Sequence, residues 1–362
     1  MSEYPEGSPP PAEFTPSAVR PAIPPQNSSE HSVNRLGYRS WSGRLEPMWM
    51  RWMVIAAVGV RRAWGSSWLK RMLFLAWLPA VWFSVGFFVW EQAALYPDWH
   101  GPAEMLMRSL PPNPVYDEIR DSVDRGDFQT SRHMVWAWML QSLFRYPQSV
   151  LMVLIVGMVA PPLISQDIRS RAFLIYFSRP LSRGEYVLGK LASLWTFLTI
   201  VSTAPALVLY VLGVLLSPNL DVIAATWDLP FRILVASMVL MLPTSMLALC
   251  LSSLTTETRY ASFAWFVIWI LGWFTFIAAS TATALNSPVV RESRRSFRQA
   301  RYAMEESSWT HLSLYHTLGR VQSWVFGFAE FQDVLVPVVI LTAITLISLL
   351  VLLRRISAPM QV

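Results

Sequence analysis

Six long intervals without a single Asp, Glu, Lys or Arg constrain this chain more than any other feature. They hold 19 residues between Arg71 and Glu91, 21 between Arg145 and Asp167, 30 between Lys190 and Asp221, 24 between Arg232 and Glu257, 31 between Arg259 and Arg291, and 20 between Asp333 and Arg354. A helix crossing about 30 Å of hydrocarbon needs about 20 apolar residues. An Asp, Lys or Arg at its centre costs about 2.5 to 3.5 kcal/mol. The intervals therefore predict an all-α polytopic membrane protein whose six transmembrane helices lie near 72–90, 147–166, 191–215, 233–254, 260–284 and 334–353. Composition agrees: only 14% of residues are charged, against about 25% in a soluble domain. The lone cysteine, Cys250, can form neither an internal disulfide nor a thiolate metal cluster. Pro205 and Pro243 fall inside two spans and predict bends.

Positive charge sets the expected orientation. Nine Lys/Arg lie in residues 1–71, five in the 165–190 connection, one at Arg259 and two at the C-terminus, so 17 of 29 fall on one side. Compact basic clusters mark the cytoplasmic face, which predicts both termini inside. The 91–146 and 285–333 connections then become outer loops, and the first carries eight acids against five Arg. Arg291, Arg294, Arg295, Arg298, Arg301 and Arg320 oppose this orientation. A seventh span over 307–329 would not relieve the conflict. It would move Arg354 and Arg355 outside, and that stretch is interrupted by His311, His316, Gly319 and Arg320. Residues 1–46, with eight prolines before Gln26, read as a disordered cytosolic tail. Residues 47–355 form the membrane domain and 356–362 a short inner tail. No basic stretch followed by a short apolar run marks a signal peptide.

Two segments are one-sided. At about 100° per residue, Trp49, Met53, Ala56, Val60 and Trp64 make an apolar stripe, with Arg51 and Arg62 opposite. This predicts an interfacial elbow helix before the first span, in contact with membrane lipid. The arginines of 291–301 form a second such face, suited to lipid headgroups or to an anionic substrate or outer partner.

The connection between the second and third spans carries the functional signal. Asp167, Arg169 and Arg171 are expected to end the second span in water. Phe173, Leu174, Ile175, Tyr176 and Phe177 follow, an apolar run too short to cross a membrane. Pro180 stops a helix there, and Ser182 can cap the next one ahead of Gly189-Lys190. A short helix with an apolar face, held outside the membrane, suits docking into a groove of another protein.

This pattern resembles the ABC-2 type family of ABC transporter permeases: an acidic residue at the end of the second span, a short cytosolic helix, a Pro-x-Ser-Arg turn, and Gly-Lys opening the third span. Here these are Asp167, residues 168–178, Pro180 with Ser182 and Arg183, and Gly189-Lys190. Leu251 to Tyr260 resembles the family's connection between the fourth and fifth spans, and Arg61-Arg62 with Trp77-Leu78-Pro79 its entry to the first. The chain departs from the family in having Asp167 where Glu is frequent, and Arg171-Ala172 where Gly-Thr is frequent. The resemblance implies a permease subunit of the bacterial inner membrane that works as a homodimer or with a paralogue. A separate ABC ATPase subunit would hold ATP and Mg, and this chain no cofactor of its own. Asp167, Arg169, Phe173, Leu174, Tyr176, Phe177, Pro180, Ser182, Arg183, Gly189 and Lys190 would then form the coupling element. Substrate contacts would come from the second and fifth spans, where Ser262, Thr275, Ser280 and Thr283 are polar.

Other chemistries fit less well. Gly184 to Lys190 satisfies Gly-x4-Gly-Lys, but Leu191 stands where a phosphate-binding loop needs Ser or Thr for magnesium, and no strand precedes it. None of the five histidines falls in a charge-free interval, and His311 and His316 are spaced five apart rather than four; they read as interfacial. No catalytic or nucleic-acid motif is seen, so no enzyme is expected. An ion-coupled transporter would place charges inside its spans, and a non-transporting subunit of a membrane complex is the remaining alternative.

Overall fold

The computed structural model describes residues 50–110, 115–172, 181–217, 219, 221–286 and 308–357. Every regular element among them is helical. Six helices are long and apolar enough to cross a membrane: Ser67–Ala93, Phe128–Arg169, Arg183–Leu216, Asp221–Leu254, Thr258–Ala282 and Phe331–Ile356. These are the first to sixth spans, one for each charge-free interval. We call the end where the second span gives way to the third the connection end, and the opposite end the far end.

The helices outrun their charge-free intervals. The second span has 42 residues, a path of about 60 Å at 1.5 Å per residue, twice the hydrocarbon thickness. Its first part, Phe128–Leu143, stands beyond the far end of the apolar interval. The expected 91–146 loop is therefore largely helix, with His100–Ser109 and Tyr116–Asp124 packed beside that projection. Ala103, Met107, Ile119 and Phe128 are buried there and close the far end as a small cap.

Proline shapes the spans locally. Its ring nitrogen cannot donate to the carbonyl four residues back. Pro147 sits inside a π turn at Phe144–Gln148, and Pro205 follows another at Thr199–Thr203; a widened turn absorbs the missing bond. The first span breaks between Leu75 and Leu78, just before Pro79. Pro243 leaves Leu229–Leu254 one continuous helix.

The second and fourth spans form the centre and bury 72% and 67% of their most apolar stretches, against 28%, 22% and 22% for the first, fifth and sixth. The fourth packs on the second and sixth, and the second also packs on the fifth. The helix Arg51–Trp64 lies along the first half of the third span, and Leu78–Ala93 along its second half. Helix Leu314–Val325 is wedged among the fourth, fifth and sixth spans. Its 12 residues reach about 18 Å, too short to cross a bilayer.

Candidate functional site

The end of the second span is fixed to its neighbours by side chains, one of which replaces a bond that proline removes. Pro161 cannot donate to the Gly157 carbonyl, and Ser262 Oγ on the fifth span donates to it at 3.1 Å. Ser252 Oγ on the fourth span accepts from the Ile164 and Ser165 amides at 3.2 and 3.1 Å. Ser165 Oγ meets Thr258 Oγ1 at 3.1 Å. The last turns before the connection are thus anchored to two other spans.

Asp167 faces inward rather than into water. Its side chain and that of Lys190 are each 8% exposed, and Lys190 Nζ lies 2.6 Å from Asp167 Oδ2. Tyr186 Oη donates to the same oxygen at 2.8 Å, and Lys190 also sits over the Tyr186 ring at 5.3 Å. A buried carboxylate needs such partners, because removing one leaves a desolvated charge that costs about 3 to 5 kcal/mol. The lock joins two spans whose chain passes through the connection, so the connection's two feet cannot separate without breaking it.

Ser182 opens the third span with a full capping box: its Oγ accepts from the Glu185 amide at 3.2 Å, and Glu185 Oε2 accepts from the Ser182 amide at 2.7 Å. The helix begins at Arg183, so Gly189 and Lys190 lie nearly two turns inside it rather than at its opening. Gly189 is required by close approach. A Cβ there would come within 2.7 Å of Ile55 Cβ and 2.8 Å of the Trp52 carbonyl. Gly59 meets Ser193 in the same way, and Ser193 Oγ donates to the Ala56 carbonyl at 3.1 Å. The helix Arg51–Trp64 is therefore clamped on the third span by a small-residue face containing Ile55, Ala56 and Gly59. That face overlaps the stripe expected from the sequence only in part: Ala56 belongs to both and Trp64 stacks on Phe197 of the third span with ring centroids 6.1 Å apart, whereas Met53 remains 43% exposed and Val60 is half-buried. The centre of the stripe lies about 90° further round the helix, where Met53 can meet lipid. Arg51 and Arg62 fall on the other side of the clamped face.

A second buried ion pair closes the far end. Arg132 lies 3.0 Å from Glu91, both nearly inaccessible. Glu91 also accepts from Trp136 Nε1 at 3.1 Å and Ser217 Oγ at 3.0 Å. The expectation that spans lack internal charges thus fails once helices extend past their apolar intervals. His316, expected at an interface, is buried and stacked 3.5 Å from the Phe276 ring. Burial and the nearby Arg145 guanidinium push it down to about 3. Thr275 and Ser280 donate to the Leu271 and Phe276 carbonyls of their own helix, so packing employs them.

Of the predicted coupling residues, the structure brings Asp167, Gly189 and Lys190 together and places Ser182 and Arg183 at the adjoining helix start. Arg169 lies at the surface, 3.4 Å from Glu257, a pair of the kind worth about 0 to 1 kcal/mol. Trp49, Phe173, Leu174, Tyr176, Phe177, Pro180 and the 291–301 arginines lie outside the described residues. Tyr186 and Ile55, which complete the lock and the clamp, escape a reading of the sequence by motif. Their signal is spacing alone: Tyr186 lies one helical turn before Lys190. Among the described residues, no group of three or more His, Cys, Asp or Glu could hold a metal ion.

Comparison with known proteins agrees with this architecture. No curated protein matches the chain. The family described as ABC-2 family transporter protein matches residues 113–355. That is about two thirds of the chain, from the far-end cap through the sixth span, and it includes the Asp167–Lys190 lock. This is a membrane protein, and it belongs to the ABC-2 family of transporter proteins.

Proposed function

We propose that this chain is the permease subunit of an ABC transporter, lining the translocation path and driven by a separate ABC ATPase subunit through the 165–190 connection. The observation that carries this reading is the mount beneath that connection. Its incoming foot is bonded to the fourth and fifth spans, its outgoing foot is capped, and the two feet are locked by Asp167, Lys190 and Tyr186. A push on such a connection moves four spans together instead of bending one helix. The apolar run at Phe173, Leu174, Tyr176 and Phe177 then docks into a cleft of the ATPase, with Pro180 setting its end and Arg169 and Arg183 flanking it. The helix Arg51–Trp64, clamped on the third span, acts as an elbow that follows its movement along the inner interface.

Both termini lie in the cytoplasm of a bacterial cell, the subunit spans the inner membrane, and it pairs with a second copy or a paralogue. ATP and Mg belong to the ATPase, and this chain supplies no catalytic group. The buried charges do not form a relay suited to ion coupling. Arg132 and Asp167 stand 35 residues apart on one span, about 50 Å of helix, with only uncharged residues from 146 to 166 between them. Replacing Phe173 or Tyr176 with Glu tests the assignment. Insertion should persist while the ATPase no longer copurifies. Undiminished copurification and transport would refute the coupling role.

A further inference from the structure

A cleft of about 240 Å³ opens at the connection end, between the helix Arg51–Trp64, the start of the first span and the second span. Its two ends differ in chemistry. Arg62, Ser66, Gln166 and the Asp167–Lys190 pair line one part, and Met158 and Leu163 another. Met158 lies nine residues before Asp167, about 13 Å deeper into the bilayer along the helix. The polar part therefore sits at headgroup level and the apolar part at acyl level.

The charges do not cancel. Lys190 is matched by Asp167, whereas Arg62 has no ion-pair or hydrogen-bond partner for its side chain among the described residues. One positive charge is left facing the cleft. Ser66 caps the helix Ser67–Leu75, its Oγ accepting from the Leu69 amide at 3.3 Å, so the positive end of that helix points to the same place. Gln166 Oε1 is buried with no donor. Pro162, also in the lining, offers no N–H to the Met158 carbonyl. The cleft thus offers one cation and a helix N-terminus for an anion, the unmet Gln166 Oε1 for a donor, and an apolar floor for a chain.

We infer that this cleft binds one phospholipid whose headgroup carries a hydrogen-bond donor, such as phosphatidylethanolamine. The phosphate sits against Arg62 and the Ser66 helix end, the ammonium turns to Gln166, and an acyl chain lies on Met158 and Leu163. The site is independent of the coupling assignment. It needs only that the protein resides in a bilayer. Its occupant would rest directly against the Asp167–Lys190 lock and beneath the clamped helix, where it can stiffen both.

The test uses the full chain in nanodiscs of phosphatidylethanolamine with a trace of a photoreactive phosphatidylethanolamine. Crosslinks should fall on residues 58–66 and 158–166. Arg62→Ala should cut labelling there about tenfold, as expected for a charge-assisted contact with phosphate, and Arg62→Lys should restore most of it. Met158→Trp, at a partly exposed position, should block the same crosslink by filling the floor while the protein stays monodisperse. Phosphatidylcholine, which has no donor, should compete about tenfold less well than phosphatidylethanolamine, and inorganic phosphate should not displace the label. Labelling unchanged in both Arg62→Ala and Met158→Trp would overturn the site. Displacement by phosphate alone would overturn the lipid assignment, and equal competition by phosphatidylcholine would overturn the headgroup assignment.

Discussion

The two buried ion pairs stand at opposite ends of the same bundle and are built differently. At the far end, Glu91 takes three donors, from Arg132, Trp136 and Ser217. It ties the first, second and third spans together within the aromatic packing of Phe87, Trp90, Phe128 and Trp136. At the connection end, Asp167 takes two donors, Lys190 and Tyr186, both from the third span. A cleft opens on that pair, and the nearby contacts are small: Gly59, Ala56, Gly189 and Ser193. Under the proposed coupling role, the same chemistry serves a sealed cap in one place and a joint in the other. A joint needs a bond that holds the two feet of a connection in register while leaving room beside it, and a cap needs the opposite.

Substitutions can break this contrast, and the largest effect is expected at the cap. Arg132→Met strands Glu91 and should cost about 3 to 5 kcal/mol, seen as a large fall in the thermal midpoint in detergent. Glu91→Leu combined with Arg132→Met should recover most of it, because a well-packed apolar pair replaces the ion pair at little cost. The same experiment on Lys190→Met sharpens the comparison: stability should fall, and adding Asp167→Asn should restore it without restoring transport. Recovery of both properties would make the two pairs equivalent and remove the distinction.

A smaller effect is expected where the clamp is tightest. Gly189→Leu forces a side chain into Ile55 and the Trp52 carbonyl and should cost about 1 to 3 kcal/mol through overpacking. Proteolysis within residues 47–64 should rise at the same time. Acid offers a comparable probe of the far end. His316 titrates near 3 when folded and near 6.5 in the unfolded chain. The unfolded state then binds more protons between those values, so stability is full above about 6.5 and falls by up to about 1.4 kcal/mol per pH unit below it. The thermal midpoint of His316→Phe should lose that part of its acid slope, although Arg145, which faces His316, keeps its charge throughout. Ser182→Ala should cost about 1 kcal/mol through the lost cap, the smallest of these changes.

Six spans were legible because an unpaired charge in hydrocarbon is expensive, so its absence over 19 residues or more is hard to mistake. The same logic hid the span ends. Past the hydrocarbon a charge is cheap, and the second span continues through Arg132 and Gln141 as ordinary helix. Asp167 read singly belongs in water; its partner lies 23 residues on, across the connection, and pairing at that range leaves no local pattern. The Arg51–Trp64 helix was visible as amphipathic, and its contact face only in part: Ala56 and Trp64 belong to the stripe, whereas Ile55 and Gly59 do not. Hydrophobic periodicity finds Trp, Met and Val, whereas close helix contact selects Gly and Ala. Ser182 was legible as a cap, since a helix start is written locally; the returning Glu185 that completes the capping box was not read, although it lies only three residues on.

The proposed permease role requires a second subunit to supply the energy for any movement of this chain. ATP hydrolysis and cargo movement in proteoliposomes test this requirement, first with the purified chain alone and then with the chain and the separate ABC ATPase proposed to drive it. Neither activity is expected from the chain alone and both from the pair, with Phe173→Glu abolishing the gain. Nucleotide hydrolysis or cargo movement by the isolated chain would contradict it.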